Sequence, residues 1–263
     1  MTTIRDITDH LESIAPLHLQ ESYDNAGLIV GHPGQEVTGV LCCLDSTEAV
    51  VAEAMQLGCN LIVAHHPIVF RGLKRLNGFN YVERTVIKAI RNNIAIYAIH
   101  TNLDNVLTDG VNGRIAAKLA LRDTEVLAPK TPGDMLVGSG VIGRLAKPMS
   151  AFDFLHLLKA NMQAGCIKHT ALPEKPVQKI AVCGGSGGFL LNNAIHAGAD
   201  VFVTADYKYH EFFDADGNIV IADIGHYESE QFTIELLCEI ISKKFHNFAA
   251  HCTKVNTNPV NYL

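Results

Sequence analysis

Three imidazoles and two carboxylates stand out in the sequence as candidate metal ligands. His65 and His66 are adjacent and precede a proline, and His226 and Glu230 are four residues apart. Residues four apart in a helix lie on one face, so His226 and Glu230 can bind the same ion. With Asp104, which lies in a polar segment, these residues predict a site for one or two first-row divalent ions, because imidazole and carboxylate suit such metals.

Each of these features also has a structural explanation. A histidine at the end of a strand can bind a backbone carbonyl, a His–Glu pair can be an ordinary surface pair, and Asp104 can be a turn residue. Two adjacent histidines are harder to explain in this way, so the pair His65–His66 favours the ligand interpretation.

Further polar side chains follow the predicted strands, where ligands bind in open parallel sheets. Asp45, His100, Asp206 and His210 are candidates for transferring protons or for orienting the metal ligands. The residues do not distinguish between these two roles, and the catalytic residues stay unassigned.

A glycine-rich segment lies between a predicted strand and a predicted helix. The backbone amides of Gly184, Gly185, Ser186 and Gly187 are candidates for binding an anion, and Lys208 is a candidate cation beside it. The segment lacks the lysine of a P-loop and the full G-x-G-x-x-G spacing. A tight turn explains the glycines equally well, and a solvated loop explains Lys208.

The elements that must position these residues alternate between short apolar strands and helical patterns, which predicts βαβ units and a mainly parallel sheet. The predicted helices are Thr3–Ala15, Ser46–Leu57, Tyr81–Asn92, Ala151–Gln163, Phe189–Ala197 and Tyr227–Lys244. The predicted strands are Val40–Leu44, Leu61–Ala64, Ile94–Ile99, Val141–Ala146, Ile180–Cys183, Val201–Thr204 and Ile219–Ile224. The residues between Leu127 and Gly140 are rich in proline and glycine and are expected to form a connection.

The two halves of the chain can be aligned on each other without gaps. Val40–Ser46 matches Ile180–Ser186 and Ala54–Val63 matches Ala194–Val203, at a shift of 140 residues. Repeated βαβ patterning could produce this match independently, but we favour a duplication. The fold class expected is therefore α/β, with two similar α/β/α lobes, 1–126 and 127–263, that face a central cleft. The terminal segments are free to cross between the lobes.

Composition excludes several other classes. Lys and Arg number 21 against 27 Asp and Glu, a net charge of −6, which disfavours bulk binding to nucleic acid. There is no apolar run of the roughly 18 residues that a membrane span needs, and the N-terminal residues lack a signal-peptide pattern. Seven cysteines without a C-x-x-C motif indicate reduced thiols, so we expect a cytoplasmic protein.

Seven motifs, taken in order, resemble those of the NIF-three-like family (NGG-one-interacting factor three). Tyr23 stands where that family usually has Trp, and Ala205 where it usually has Gly; neither is a proposed ligand. The motifs are Ser22–Leu28, Ala64–Pro67, His100–Asp104, Gly184–Gly187, Thr204–His210, Gly225–Glu230 and Thr257–Pro259.

The resemblance implies two α/β/α lobes with a dinuclear metal site between them. The family's ligands fall on His65, His66, Asp104, His226 and Glu230, and would hold two ions of zinc, manganese, iron, cobalt or nickel. The resemblance also implies a ring-shaped homohexamer, in a compact form without the inserted domain of longer members.

Bacterial members of that family carry the name GTP cyclohydrolase 1 type 2 homologue. We expect a metal-dependent hydrolase that acts on a nucleotide-like or other phosphate-containing small molecule. The alternative is a metal-binding assembly or regulatory interaction protein without catalysis. The expected partners are further copies of the chain and the small molecule, without a membrane and without bulk nucleic acid.

Overall fold

The computed structural model describes all 263 residues, which form two compact units. Unit 1 contains Met1–Leu103 and Thr233–Pro259, and unit 2 contains Asp104–Phe232 and Val260–Leu263. The boundary expected after residue 126 lies instead after Leu103. The reason is that residues 111–118 already pack against the sheet of unit 2, whereas the C-terminal segment Thr233–Pro259 returns to unit 1.

The helices and strands are numbered along the chain. The strands are β1 (Gly27–Val30), β2 (Val40–Cys43), β3 (Leu61–Ala64), β4 (Ala95–Ala98), β5 (Arg122–Pro129), β6 (Gly138–Met149), β7 (Lys168–His169), β8 (Val177–Val182), β9 (Val201–Thr204), β10 (Val220–Asp223) and β11 (Ala250–Cys252). The α-helices are α1 (Ile4–Ile14), α2 (Glu48–Leu57), α3 (Tyr81–Arg91), α4 (Thr101–Asp104), α5 (Val111–Lys118), α6 (Ala151–Asn161), α7 (Leu191–His196), α8 (His226–Glu230) and α9 (Thr233–Lys244).

Unit 1 is built on a five-stranded sheet with the order β1-β4-β3-β2-β11. Strands β4, β3, β2 and β11 are parallel, and β1 is antiparallel to β4. Every residue of β2, β3 and β4 is buried, as expected for strands covered on both faces. The carboxyl ends of β2, β3 and β4 therefore lie together at one edge of this sheet.

Unit 2 is built on a six-stranded sheet with the order β5-β6-β8-β9-β10-β7. Its three central strands β8, β9 and β10 are parallel, and the remaining pairs are antiparallel. Both units thus contain three consecutive parallel strands in sequential order, which agrees with the pattern of the sequence alignment. The fold is mixed α/β with two sheets; the duplication itself stays a prediction.

Local sequence explains the helix boundaries. Helix α1 begins with a capping box in which Thr3 and Asp6 bind each other's backbone amides, and it buries Ile4, Ile7 and Leu11 at helical spacing. Helix α2 ends at Gly58, which adopts the left-handed conformation at φ 69° expected of a C-terminal glycine.

Two predicted elements differ from the structure. The single helix expected over 227–244 is two helices, α8 and α9, because the chain turns at Gln231 and Phe232 as it passes from unit 2 to unit 1. The connection expected over 127–140 is shorter than predicted and spans 130–137, since β5 continues to Pro129 and β6 begins at Gly138. Gly138 is packed too closely against the backbone of β5 to carry a side chain, which accounts for a glycine there.

Candidate metal centre

Three histidines of unit 1 cluster at the carboxyl edge of its sheet. His65 and His66 follow β3 directly, and His100 follows the neighbouring strand β4 after one residue. Their candidate ligand atoms all lie within 4.8 Å of one another. His65 is fully buried, and His66 and His100 are partly exposed. The predicted pair is thus joined by a third imidazole, His100, which the sequence suggested only for proton transfer or orientation.

The Nδ1 atom of each of these imidazoles contacts an oxygen. His66 Nδ1 lies 2.8 Å from Asp45 Oδ1, His100 Nδ1 lies 2.8 Å from Asp24 Oδ1, and His65 Nδ1 lies 2.9 Å from the carbonyl oxygen of Ile99. Carbonyl and ionised carboxylate oxygens only accept hydrogen bonds, so Nδ1 is the donor in each case. In a neutral imidazole, Nε2 then carries the lone pair that a metal needs, and the ring is fixed in orientation.

The two orienting carboxylates of unit 1 each accept a hydrogen bond from a threonine hydroxyl. Thr257 Oγ1 donates to Asp45 Oδ2 at 2.7 Å, and Thr101 Oγ1 donates to Asp24 Oδ2 at 2.5 Å. Burial opposes ionisation of Asp24, but the hydrogen bonds from His100 and Thr101 outweigh it and lower its pKa to about 2. Asp24 is therefore an anion at neutral pH and can orient His100.

Unit 2 brings together the second predicted pair. His226 and Glu230 are the first and last residues of α8, and His226 Nε2 lies 3.1 Å from Glu230 Oε2. On its other side, His226 Nδ1 lies 2.8 Å from Oδ2 of Asp206, which also accepts from Ser186 Oγ at 2.5 Å. Burial lowers the pKa of His226, but the two carboxylates outweigh it and raise the pKa to about 11.

Asp104 and Glu230 both lie near one buried thiol in unit 2. Burial raises the pKa of Cys183, and the charges of Asp104 and then Glu230 raise it further. Asn112 Nδ2 donates to the backbone carbonyl of Asp104 at 3.0 Å, which ties α5 to this residue. Unit 2 therefore supplies one imidazole and two carboxylates of the predicted ligand set.

The glycine segment is a turn in which three of the four amides already bind groups of the chain. The amides of Gly184, Gly185 and Gly187 donate to Asn112, Ser229 and Thr204, each at 2.9 Å. Gly185 has φ 63°, and a Cβ there would collide with Oε1 of Glu230. These contacts favour the tight-turn explanation over the anion site predicted at Gly184, Gly185, Ser186 and Gly187.

Two of the candidate side chains make other contacts. The ammonium group of Lys208 pairs with Glu211 at 3.3 Å. His210 is exposed on the 3-10 turn Tyr209–Ala215, where its ring packs on Tyr209 and Phe213. Asp45 and Asp206 are thus the two candidates that orient imidazoles. The contacts of His210 and Lys208 do not support a role for either residue in the candidate metal centre.

Sequence reasoning missed the residues that support the imidazoles. Asp24, Thr101, Ser186 and Thr257 had no predicted role in orienting histidines. All four lie inside the motifs noted above. Their position in motifs was the available signal, but spacing along the chain does not reveal which carboxylate meets which imidazole.

Comparison with known proteins places the chain and its fold in one class. The family model described as Duf34/NIF3 (NGG1p interacting factor 3) matches residues 2–259. Two proteins named GTP cyclohydrolase 1 type 2 homolog are each 34% identical to this chain. The match to the Clostridium perfringens protein covers 86% of each chain. The match to the Lactococcus lactis protein covers 97% of this chain and 98% of that protein. A Bacillus cereus protein related to NIF3 has a similar structure, with a TM-score of 0.91 and 27% identity over 100% of this chain and 99% of that one.

These matches, together with the motifs, show that the chain belongs to the DUF34/NIF3 family. None of its helices combines the length and the apolar character needed to cross a bilayer.

Proposed function

We propose that this protein is a metal-dependent hydrolase with a dinuclear centre, which acts on a nucleotide-like or other phosphate-containing small molecule. The ligands are His65, His66, Asp104, His226 and Glu230. The observation that carries the proposal is the fixed orientation of the imidazoles: an acceptor oxygen holds Nδ1 of His65, His66 and His226, so Nε2 of each ring is the atom that would bind a metal.

Two of the proposed ligands lie near the points where the chain passes between the two units. The chain passes from unit 1 to unit 2 between Leu103 and Asp104, and returns between Phe232 and Thr233. Asp104 is therefore the first residue after one crossing, and Glu230 lies within three residues of the other. His100 is four residues before Asp104.

The donor set fits the expected metals. Imidazole and carboxylate suit zinc, manganese, iron, cobalt and nickel. Two such metal ions, when bound, would supply an activated water and stabilise developing negative charge. In the protein, Asp45 and Asp206 hold His66 and His226 in place. His100, whose Nδ1 donates to the ionised Asp24, presents Nε2 as an acceptor for a proton or as a further ligand.

The names of the relatives guide the choice of substrates. Because several relatives are named GTP cyclohydrolase 1 type 2 homolog, the first panel contains guanine and other nucleotides, followed by phosphoesters and cyclic amides. We expect turnover that requires metal and that is lost in Glu230→Gln, whereas Glu239→Gln, an exposed carboxylate on α9, keeps it. If none of the panel turns over with any of the five metals, the hydrolase proposal fails.

Metal content tests the centre independently of catalysis. Elemental analysis of protein purified without added metal or an affinity tag should give two ions per chain, and much less in a His65→Ala, Glu230→Ala double variant. Equal, near-zero content in both proteins after reconstitution would refute the dinuclear centre.

A second candidate, a metal-binding assembly without turnover, is favoured by exposed apolar side chains on the loop that follows His65 and His66. Phe70 is 51% exposed and packs edge-on against His100, and Phe79 of the same loop is 87% exposed. We propose that such residues are covered in a homohexameric ring. Light scattering should give the mass of six chains, and a Phe79→Ser variant should reduce it; two ions per chain with no turnover on the panel would then select this function.

A further inference from the structure

Two cysteines of unit 1 lie against each other outside the candidate metal centre. Cys238 lies on α9, and Cys252 is the last residue of the edge strand β11. Their sulfur atoms are 3.0 Å apart, although both thiols are free. The residues are separated by 14 positions in the chain, so it is the packing of α9 on the sheet edge that brings them together.

The two thiols differ in their access to solvent. Cys238 is only 8% exposed, whereas Cys252 is exposed. Cys42, which pairs in register with Cys252 across β2 and β11, is fully buried. A soluble oxidant therefore reaches Cys252 first, and the nearest sulfur it then meets is that of Cys238.

We propose that Cys238 and Cys252 are a redox modification site that forms a reversible intramolecular disulfide when a hydroperoxide oxidises the protein. The Cys252 sulfur attacks one peroxide oxygen, the O–O bond breaks, and water leaves when hydrogen peroxide is the oxidant. The Cys238 sulfur then attacks the resulting sulfenic acid, the S–S bond forms, the S–O bond breaks, and a second water leaves with the Cys238 proton. Two thiols lose two electrons, and the peroxide gains them.

The short separation determines the product. A sulfenic acid on Cys252 would be held beside its resolving thiol, so the intramolecular step should outpace a second encounter with peroxide. The contact with Cys238 and burial raise the pKa of Cys252 above its usual range, which keeps its thiolate fraction low. The first step is therefore slow, and the pair stays reduced until the peroxide exposure is high.

The modified segment leads to a support of the candidate centre. After β11, Thr253 Oγ1 and the Lys254 amide bind the carboxylate of Glu53, and Thr257 then donates to Asp45, which holds His66. A disulfide would fasten β11 to α9 immediately before this segment. We therefore expect oxidation to restrict the chain that positions His66.

The test is peptide mapping of the full-length protein treated with hydrogen peroxide, denatured with an alkylating agent and digested with trypsin. Lys243 and Lys244 separate the two cysteines, so a disulfide joins the peptide 245–254 to the peptide that carries Cys238. We expect this linked pair to account for most of the oxidised Cys252 and to disappear after treatment with dithiothreitol.

Three variants make the result decisive. Cys252→Ser should abolish the linked pair, Cys238→Ser should leave Cys252 as sulfinic or sulfonic acid, and Cys166→Ser, which removes an exposed thiol of unit 2, should leave the link unchanged. Three results for the wild-type protein would each overturn the proposal. They are oxygen addition to Cys252 without a disulfide, a disulfide between Cys238 and Cys42 instead, and no oxidation at high peroxide concentration.

Discussion

Asp206 holds His226 through a hydrogen bond of 2.8 Å between Oδ2 and Nδ1, from a backbone in the left-handed region at φ 59°. A residue with a side chain is disfavoured in this conformation, and such strain is retained where the surrounding structure and function require it. The hydroxyl of Ser186 donates to the same oxygen and fixes the carboxylate. The same three kinds of group occur at Thr257–Asp45–His66 and at Thr101–Asp24–His100, where the hydroxyl and the imidazole bind different oxygens of the carboxylate.

Replacing Asp206 tests whether these carboxylates serve the metal. Asp206→Asn keeps the volume and tolerates the left-handed backbone, but removes the charge that orients His226. We expect metal affinity to fall by roughly 10–100-fold, as for other groups that hold metal-binding histidines. Competition with a chelator measures this. Asp216→Asn, at a second left-handed position with φ 41°, should bind metal normally; an equal loss in both variants would show that the effect is only structural.

Asp24 should contribute to the stability of unit 1 as well as to the position of His100. Its two oxygens accept from four donors: Oδ1 from His100 and the Asn25 amide, and Oδ2 from the amide and hydroxyl of Thr101. In Asp24→Asn, an NH2 group replaces one carboxylate oxygen. This NH2 group faces two hydrogen-bond donors and cannot accept from them. We expect a loss of about 2 kcal/mol in the free energy of unfolding, as for hydrogen bonds to a charged group.

Urea denaturation of the metal-free protein measures the effect of Asp24→Asn without contribution from bound ions. Asp9→Asn, an exposed position on α1, is the control and should change stability little. If the two variants unfold at the same urea concentration, the network around Asp24 does not stabilise the fold.

Gly185 allows a test of the glycine turn that packs against Glu230. Its backbone is left-handed, and a Cβ would strike Glu230 Oε1. Gly198 is also left-handed, at φ 71°, but a Cβ there meets nothing within 4 Å. Both alanine variants should therefore lose about 1 kcal/mol from the backbone, but only Gly185→Ala should displace Glu230 and lower the metal content. Normal metal content in Gly185→Ala would show that the turn tolerates the side chain.

Several parts of the fold and centre could be predicted from local sequence. The strands that precede His65, His100 and His226, which are β3, β4 and β10, are short apolar runs. The end of helix α2 is indicated by Gly58. His226 and Glu230 share a face because helical spacing is fixed. Such features depend on neighbours in the chain, so the sequence alone contains them.

Other parts depend on contacts between distant segments. Asp24 meets His100 across 76 residues, and Thr257 meets Asp45 across 212. The return of α9 to unit 1 and the strand character of Arg122–Pro129 also depend on which sheet each segment joins. A single sequence contains no periodicity or spacing that encodes these choices.

Asp200 makes the stability of unit 2 depend on pH in the acid range. Its Oδ2 accepts from the amides of Gln178 and Lys179, each at 2.9 Å, and its Oδ1 lies 3.3 Å from Lys175 Nζ. Burial opposes ionisation, but these hydrogen bonds outweigh it and lower the pKa of Asp200 in the folded state. The unfolded chain therefore takes up this proton at a higher pH than the folded chain does.

The direction of the effect follows from this difference in pKa. The stabilisation is complete above the unfolded pKa of about 4 and is lost as the pH falls through the lower folded pKa. Asp200→Asn should therefore cost about 2 kcal/mol at pH 7, and the difference from the wild-type protein should shrink below pH 4. Urea denaturation from pH 3 to pH 7 measures it, with the exposed Asp214→Asn as control. A difference that does not vary with pH would mean that Asp200 acts through its shape, because only its charge can make the two curves converge in acid.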